Sequence, residues 1–308
     1  MPVAPKNEPR LPRHRNIRIT PRDLQILLSI AQNQFLTTSQ IYELHFPSIH
    51  RTQKRLHQLL VSQFITRLKI PAGLETLSSE SVHAISRRGL SLLHFRGMVH
   101  EDISIPKISR RPGALLFLSH TLLRNSFRLA LEHAIKNKPH ISLHNWRHDN
   151  TIAQYVMLPD SHTQSLRRVA LKADAVFRLR RDSFELECYL EVDNGTMALT
   201  RLISKINAYC RWHISRRQAI SGRIVRRRVL ILTFSKRRAT NITDRLRGLA
   251  RSSPSNNLWL VGYVDRNALI LTNVLAGLRW FQPMPFGFRE VTLDQELSQI
   301  VARQKGAR

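Results

Sequence analysis

The sequence predicts an α/β chain in the α+β arrangement, built as two domains: short helices closed by a hairpin, then a larger domain in which strands alternate with helices. Three observations predict it. Between residues 17 and 95 apolar side chains recur at helical spacing in three short runs and then switch to strand spacing around a loop. From 115 to 290 helix-like and strand-like segments alternate, the pattern of a partly parallel sheet. Between them, residues 96–114 hold Gly97, Pro106, Pro112 and Gly113 with little periodicity, which places a linker there. A chain of 308 residues that is 42% hydrophobic can give each domain its own core.

In the first domain, Thr20-Pro21-Arg22-Asp23 starts a helix over about 21–33: threonine caps, proline fits the first helical position, and the aspartate meets the positive end of the dipole. Leu24, Leu27, Leu28 and Ala31 form its apolar stripe. LTTSQIYELHF supplies Thr37 or Thr38 as the cap of a second short helix. After Phe46-Pro47, Ser48 caps a third, IHRTQKRLHQLLVSQ, with Ile49, Leu56, Leu59 and Leu60 facing inward and Arg51, Lys54, Arg55 and Gln58 on the other side. FITRLKI and VHAIS then read as strands around a loop, and SRRGLSLL resumes helix. That order is the order of a winged helix, in which the third helix enters the major groove of DNA. The alternative for its four polar residues is an ordinary solvated helix face.

Charge narrows the partner. There are 49 Lys and Arg against 21 Asp and Glu, a net charge of +28. A surplus of that size repels itself in the compact state, and a polyanion offsets it; Lys and Arg bound to phosphates release condensed counterions. Membrane attraction is the competing use of positive charge, but no run of 18 or more apolar residues exists. The N-terminus has basic residues and no apolar h-region, so 1–16 reads as a disordered basic arm and the chain as cytoplasmic. Cys188 and Cys210 are too few for a disulfide framework or a zinc site and read as small buried hydrophobes. GxxxxGK[ST], GxGxxG, HExxH and CxxC are absent from the sequence, and His14, His45, His50, His57 and His83 fall without ligand spacing.

The second domain, 115–290, opens with a helix over Leu115–Asn137, followed by the strand-like ISLHNW, ADAVFRL, FELECYLEV and VLILTF, with a helix between Ala198 and Trp212. Residues 291–308 read as a C-terminal tail. In FELECYLEVD, alternation puts Glu185, Glu187, Tyr189, Glu191 and Asp193 on one face. Asp174, in the preceding strand, can lie opposite if the two pair around a turn near Arg181-Asp182. Asp174, Glu191 and Asp193 would then offer hard oxygens to Mg²⁺, which activates water against a phosphodiester, with Lys205 stabilising developing charge. Asp, Glu-x-Asp and a lysine displaced onto the next helix resemble a restriction-endonuclease-like core whose usual strand lysine is missing. Equally, these acids can be ion-pair partners of Arg178, Arg180, Arg201 or Lys205 in a fold that cleaves nothing. Asn194-Gly195-Thr196 reads as a turn, and Glu132 as a surface salt-bridge residue or a further acid of the site. From Arg201 to Arg251 fifteen Lys or Arg face one acid, Asp244. The clusters Arg216-Arg217, Arg226-Arg227-Arg228 and Lys236-Arg237-Arg238 flank a strand and are expected to hold phosphates from sheet ends or loops.

These residues resemble a family. ITPRDLQILLSIAQNQFLTTSQIYELHFPS, RTQKRLHQLL, ISRRGLSLL, KADAVFRL and above all YLEVDNGTMALTRLISKINAY, within residues 17–285, are similar to the replication-relaxation proteins of bacterial plasmids and integrative elements. The resemblance implies a DNA-binding accessory of plasmid or mobile-element replication, relaxation or conjugative mobilisation, with a relaxase or another replication or mobilisation protein as a possible partner, and acids at the positions of Asp174, Glu191 and Asp193. The leading expectation is therefore a non-enzymatic binder of double-stranded DNA. A metal-dependent DNA nuclease or nickase and a winged-helix transcription repressor are the alternatives.

Overall fold

The computed structural model describes residues 17–68, 80–101, 103–106, 113–148, 152–159, 165–182, 184–195, 199–215, 225–250 and 257–305. The expected basic arm, the loop at 69–79 and Arg216-Arg217 lie outside the described residues. The chain divides into two compact units, Met1–Asn125 and Ser126–Arg308. That division falls inside a helix, not in the expected linker.

The first unit contains α1 (Pro21–Asn33), β1 (Leu36–Thr37), α2 (Thr38–His45), α3 (Ile49–Val61), β2 (Ile65–Leu68), β3 (Val82–Ile85), α4 (Arg87–Phe95) and the start of α5 (Ala114–Lys136). Thr20 and Asp23 close a reciprocal capping box on α1, and Thr37 with Gln40 closes another on α2, so each helix start satisfies two otherwise orphaned N–H groups. Ser48 caps α3 without a side-chain hydrogen bond. The buried stripe of α1 is Ile26, Leu27, Ile30 and Ala31, rotated from the expected one, because Asp23 and Asn33 also turn inward. On α3 the inward set is Thr52, Leu56 and Leu59; Ile49, expected inside, is exposed.

The short strand β1, which the hydropathy pattern does not reveal, joins the hairpin in an antiparallel sheet of order β1-β3-β2. Phe35, Val82, Ala84, Leu118 and Leu122 pack as one cluster beside it. Asn125 ties α5 to this layer, its Nδ2 donating to the carbonyls of Asn33 (2.9 Å) and Phe35 (2.7 Å). Gly89 allows α4 to close on the turn that leads from α3 into β2: a Cβ there would stand 2.2 Å from the Phe64 carbonyl oxygen.

The second unit is a mixed seven-stranded sheet of order β12-β11-β10-β9-β8-β7-β4. Its strands are β4 (Ile141–Arg147), β7 (Ala175–Arg181), β8 (Phe184–Asp193), β9 (Val225–Thr233), β10 (Trp259–Tyr263), β11 (Trp280–Met284) and β12 (Gly287–Val291). β4, β7 and β8 are antiparallel neighbours; β7 and β8 turn at Asp182, while the chain between β4 and β7 carries a separate hairpin. β8, β9 and β10 are parallel, joined through α6 (Leu199–Ser215) and α7 (Lys236–Ala250), and β11 and β12 return antiparallel. Antiparallel neighbours need only tight turns, whereas each parallel step needs a crossover helix. Val229, Ile231, Trp259 and Val261 on one face pack with Ile206, Tyr209, Trp212, Ile242 and Leu246 of the crossover helices.

Three parts of this unit are not marked by the sequence pattern. A separate hairpin, β5 (Gln154–Pro159) with β6 (Leu166–Leu171), packs Val156, Val169 and Leu171 against the same core. β11 and β12 extend the sheet. The expected tail contains α8 (Leu293–Lys305), which buries Leu293, Glu296 and Leu297 completely. Alternating hydropathy is weak in each of these pieces, since one face is solvated and each is short. Among the described residues no helix is long and apolar enough to cross a membrane.

His83 in β3 is buried, with Nε2 3.1 Å from the Thr38 hydroxyl, and burial together with the charge of Arg67 lowers its pKa to about 4. Burial and Arg22 lower His45 to the same range. Both are neutral when folded, so their contribution is complete above the unfolded value of 6.5 and is lost as pH falls toward about 4. Thermal unfolding followed by circular dichroism should therefore show a midpoint that falls across that window, and His83→Gln should flatten the fall.

Candidate functional site

Two places hold the residues that the sequence singles out: the outward face of α3, and the carboxylate face of β8 with the elements around it.

On α3 the four polar candidates divide into two pairs. Arg51 and Lys54 are exposed, beside His50, Gln53 and His57. Arg55 is turned back against its own unit: Nε donates to Asp23 Oδ1 (2.7 Å), Nη2 to Asp23 Oδ2 (2.5 Å) and to the Arg18 carbonyl (2.9 Å), and Nη1 to Gln58 Oε1 (2.7 Å). Asp23 also accepts from the Thr20 backbone and hydroxyl at 2.7 Å each. Burial works to raise the Asp23 carboxyl, but hydrogen bonds from Arg55 and Thr20 outweigh it and hold the group below its ordinary value. Arg55 and Gln58, expected at the groove, are thus engaged in clamping α3 to the first turn of α1.

In the second unit, β8 presents the predicted row of acids, and a cation faces each one. Arg178 reaches Glu185 (3.4 Å) and Glu187 (3.0 Å), and Arg227 also reaches Glu187 (3.0 Å). Lys205 and the Tyr209 hydroxyl, both on α6, each stand 2.5 Å from Glu191. Arg238 of α7 donates to Asp193 from Nε (2.6 Å) and Nη2 (3.3 Å). Asp174 spends its Oδ2 on the Val192 N–H (2.7 Å), prolonging the β7–β8 ladder through a side chain. Burial lifts Glu191 to about 7, aided by the Asp174 charge and opposed by Lys205 and Tyr209; those two carboxylates in turn hold Lys205 protonated. Arg180 and Arg201, the other expected partners, are exposed, and Arg180 donates to the Asp182 carbonyl.

Asp174, Glu191 and Lys205 do come together, while Asp193 is drawn to α7. Both oxygens of Glu191 and both of Asp193 are committed to protein donors, and among the described residues no group of three or more His, Cys, Asp or Glu is placed to hold a metal ion. Mg²⁺ needs several uncommitted hard oxygens directed at one point. The donor set does not fit that ion. Glu132, on α5, pairs with Arg128 one helical turn away.

The basic clusters also divide. Arg226, Arg227 and Arg228 lie within β9 and not in a loop: Arg228 is 1% exposed, its guanidinium 2.5 Å from the buried Glu296 of α8, and Arg226 reaches the same carboxylate at 3.4 Å. Arg226 and Arg228 thus close the core against α8, whereas Arg227 faces the other way, onto Glu187 and the Trp212 ring; an expected phosphate role does not suit Arg228, so enclosed. A single feature could have warned of it: alternating Arg in a strand beside an apolar run needs acids, and the last helix carries Glu296. Lys236 and Arg237, by contrast, are exposed at the start of α7.

The Arg55 clamp has a measurable consequence. Removing one partner of a buried pair leaves an uncompensated charge, at a cost of about 3–5 kcal/mol, here toward the lower end because Asp23 keeps its Thr20 donors. Arg55→Ala should lower stability to chemical denaturation by roughly that amount. Adding Asp23→Asn should restore part of the loss.

A search of curated proteins found no match. The replication-relaxation family matches residues 27–226, a span that takes in α3, the row of acids on β8 and the whole of α6. That match covers more than half of the chain, and the chain belongs to the replication-relaxation family.

Proposed function

We propose that this protein is a non-enzymatic DNA-binding accessory in the replication or relaxation of a plasmid or mobile element, gripping duplex DNA by the outward face of α3. Family membership supports the process. The grip rests on one observation: Arg51 and Lys54 stand exposed on a helix that is itself clamped in place, while the buried acids among the described residues already have cations of their own. The order of elements from α1 to α4, with a sheet of order β1-β3-β2, supports reading the first unit as a winged helix. In such a domain base edges are read from the third helix, and cations elsewhere, here Lys236 and Arg237, hold phosphates without reading sequence.

The helix, three antiparallel strands, helix and parallel strand formed by α5, β4-β7-β8, α6 and β9 support the restriction-endonuclease-like reading of the second unit, with the β5–β6 hairpin inserted between β4 and β7. On the present geometry that core serves as scaffold. Glu191 and Asp193 bind lysine, tyrosine and arginine where a nuclease would present them to Mg²⁺.

Fluorescence anisotropy with duplex DNA tests this reading. Affinity should fall by about 10³ to 10⁵ between roughly 50 and 200 mM salt if about 6 to 10 phosphates are engaged. Arg51→Ala with Lys54→Ala should weaken duplex binding at least tenfold without changing the unfolding midpoint. Supercoiled DNA incubated with Mg²⁺ or Mn²⁺ should remain intact; nicking that disappears in Glu191→Gln would make the protein an enzyme.

A further inference from the structure

The first unit holds a cavity of about 420 Å³ between α3 and the β2–β3 hairpin, a size that suits a small organic molecule. One wall belongs to α3 and is apolar: Ile49, Leu56 and Leu60 line it. Ile49, which helical periodicity places inside, is 42% exposed, and the cavity accounts for this, since it lies where packing against that side chain would be.

The hairpin supplies the polar walls. Arg67 and His83 are cross-strand partners and therefore share one face with the pair Ile65 and Ile85. Both line the cavity, as does Glu80, just ahead of β3. Glu80 is fixed from α2, where the Ser39 backbone N–H (3.3 Å) and the Ser39 hydroxyl both donate to its carboxylate. Arg67 and Glu80 border the same space without pairing with each other. His83 is 4% exposed. The Thr38 hydroxyl donates to the Ser81 carbonyl (3.4 Å) and so accepts from His83 Nε2 (3.1 Å), which leaves Nδ1 as a bare acceptor, buried and without a protein partner. An orphaned acceptor beside a cavity favours an occupant that carries donors over a wholly apolar one.

These walls select the occupant by exclusion. The Glu80 carboxylate repels a phosphate or any plain anion. The Arg67 guanidinium repels a plain cation. An inorganic ion of either sign would leave Ile49, Leu56 and Leu60 facing water, while a hydrocarbon would strip water from both charged groups and return no hydrogen bond. A molecule with an anionic end, a cationic end and an apolar part meets all three walls. The smallest common design of that kind carries both charges on one carbon atom's substituents and the apolar part as a third.

We propose that this cavity binds a free α-amino acid with an apolar side chain, its carboxylate on Arg67, its ammonium on Glu80 and its side chain against Ile49, Leu56 and Leu60. The guanidinium fork matches a carboxylate in two parallel hydrogen bonds. The site adds a small-molecule ligand to a unit otherwise read as a DNA binder, and it does not depend on that reading, because its test contains no DNA.

The full chain is titrated separately with L-leucine, L-methionine and L-phenylalanine, followed by calorimetry and by the unfolding midpoint. At least one should bind and raise the midpoint saturably. The amine and the carboxylic acid that correspond to it, each missing one charge, should bind roughly ten- to a hundredfold more weakly. Glycine, which lacks the apolar part, should fall behind by a similar factor. Arg67→Gln, at an exposed position, should reduce amino-acid binding to the level of the amine and leave amine binding unchanged. Glu80→Gln should abolish the preference for the amino acid over the acid. The proposal is overturned if none of the three amino acids binds, if the amine or the acid binds as tightly as its parent, or if Arg67→Gln binds the amino acid like wild type.

Discussion

Buried carboxylates in this chain are held by cations, and the rest of the structure depends on that arrangement. Among the described residues the buried acids are Asp23, Glu187, Glu191, Asp193 and Glu296, and they pair with Arg55, with Arg178 and Arg227, with Lys205, with Arg238, and with Arg226 and Arg228. An ion pair taken out of water is costly unless its geometry is good and its remaining valences are filled. Here they are placed at joints: Arg55 locks α3 to α1, Lys205 and Arg238 lock the crossover helices α6 and α7 to β8, and Arg228 locks β9 to α8. Such pairs are directional, so they specify which helix meets which strand as well as holding them there.

The same arrangement decides what is left for function. A chain with a net charge of +28 has far more cations than acids to spend on joints. Those used internally are turned onto buried carboxylates, and those left outside, among them Arg51, Lys54, Arg168, Lys236 and Arg237, are the ones able to meet a polyanion. Net charge alone therefore overstates the binding surface. Arg228, fully charged in the count, is as buried as any leucine of the core.

Much of the fold was legible in the sequence because local signals were strong. Thr20-Pro21-Arg22-Asp23 and the pair Thr37-Thr38 marked helix starts that the capping boxes of α1 and α2 reproduce, the second at Thr37, and the alternation of FELECYLEVD placed its acids on one face of β8. What escaped was non-local. That Arg55 turns toward Asp23, 32 residues away, and Arg228 toward Glu296, 68 away, depends on which elements become neighbours, and helical or strand periodicity carries no record of it. The basic clusters were visible as runs, but a run does not reveal that β9 passes through the middle of the sheet. β1, with two residues, and the β5–β6 hairpin, with one solvated face, were too short or too mixed to show a period. The acids of the candidate site were found as residues, and the ion-pair alternative named two of their partners, Arg178 and Lys205; Arg227 and Arg238, which come from elements distant in sequence, were not named.

Hydrogen–deuterium exchange of the full chain with and without duplex DNA tests the central claim most directly, because it reports on each element at once. DNA should slow exchange across residues 49–61 of α3, while α6 and the β8 segment around Glu191 should exchange as in the free protein. Protection confined to Asp174, Glu191 and Lys205 with α3 unchanged would contradict it, and would return the acid row from scaffold to the point where DNA is handled.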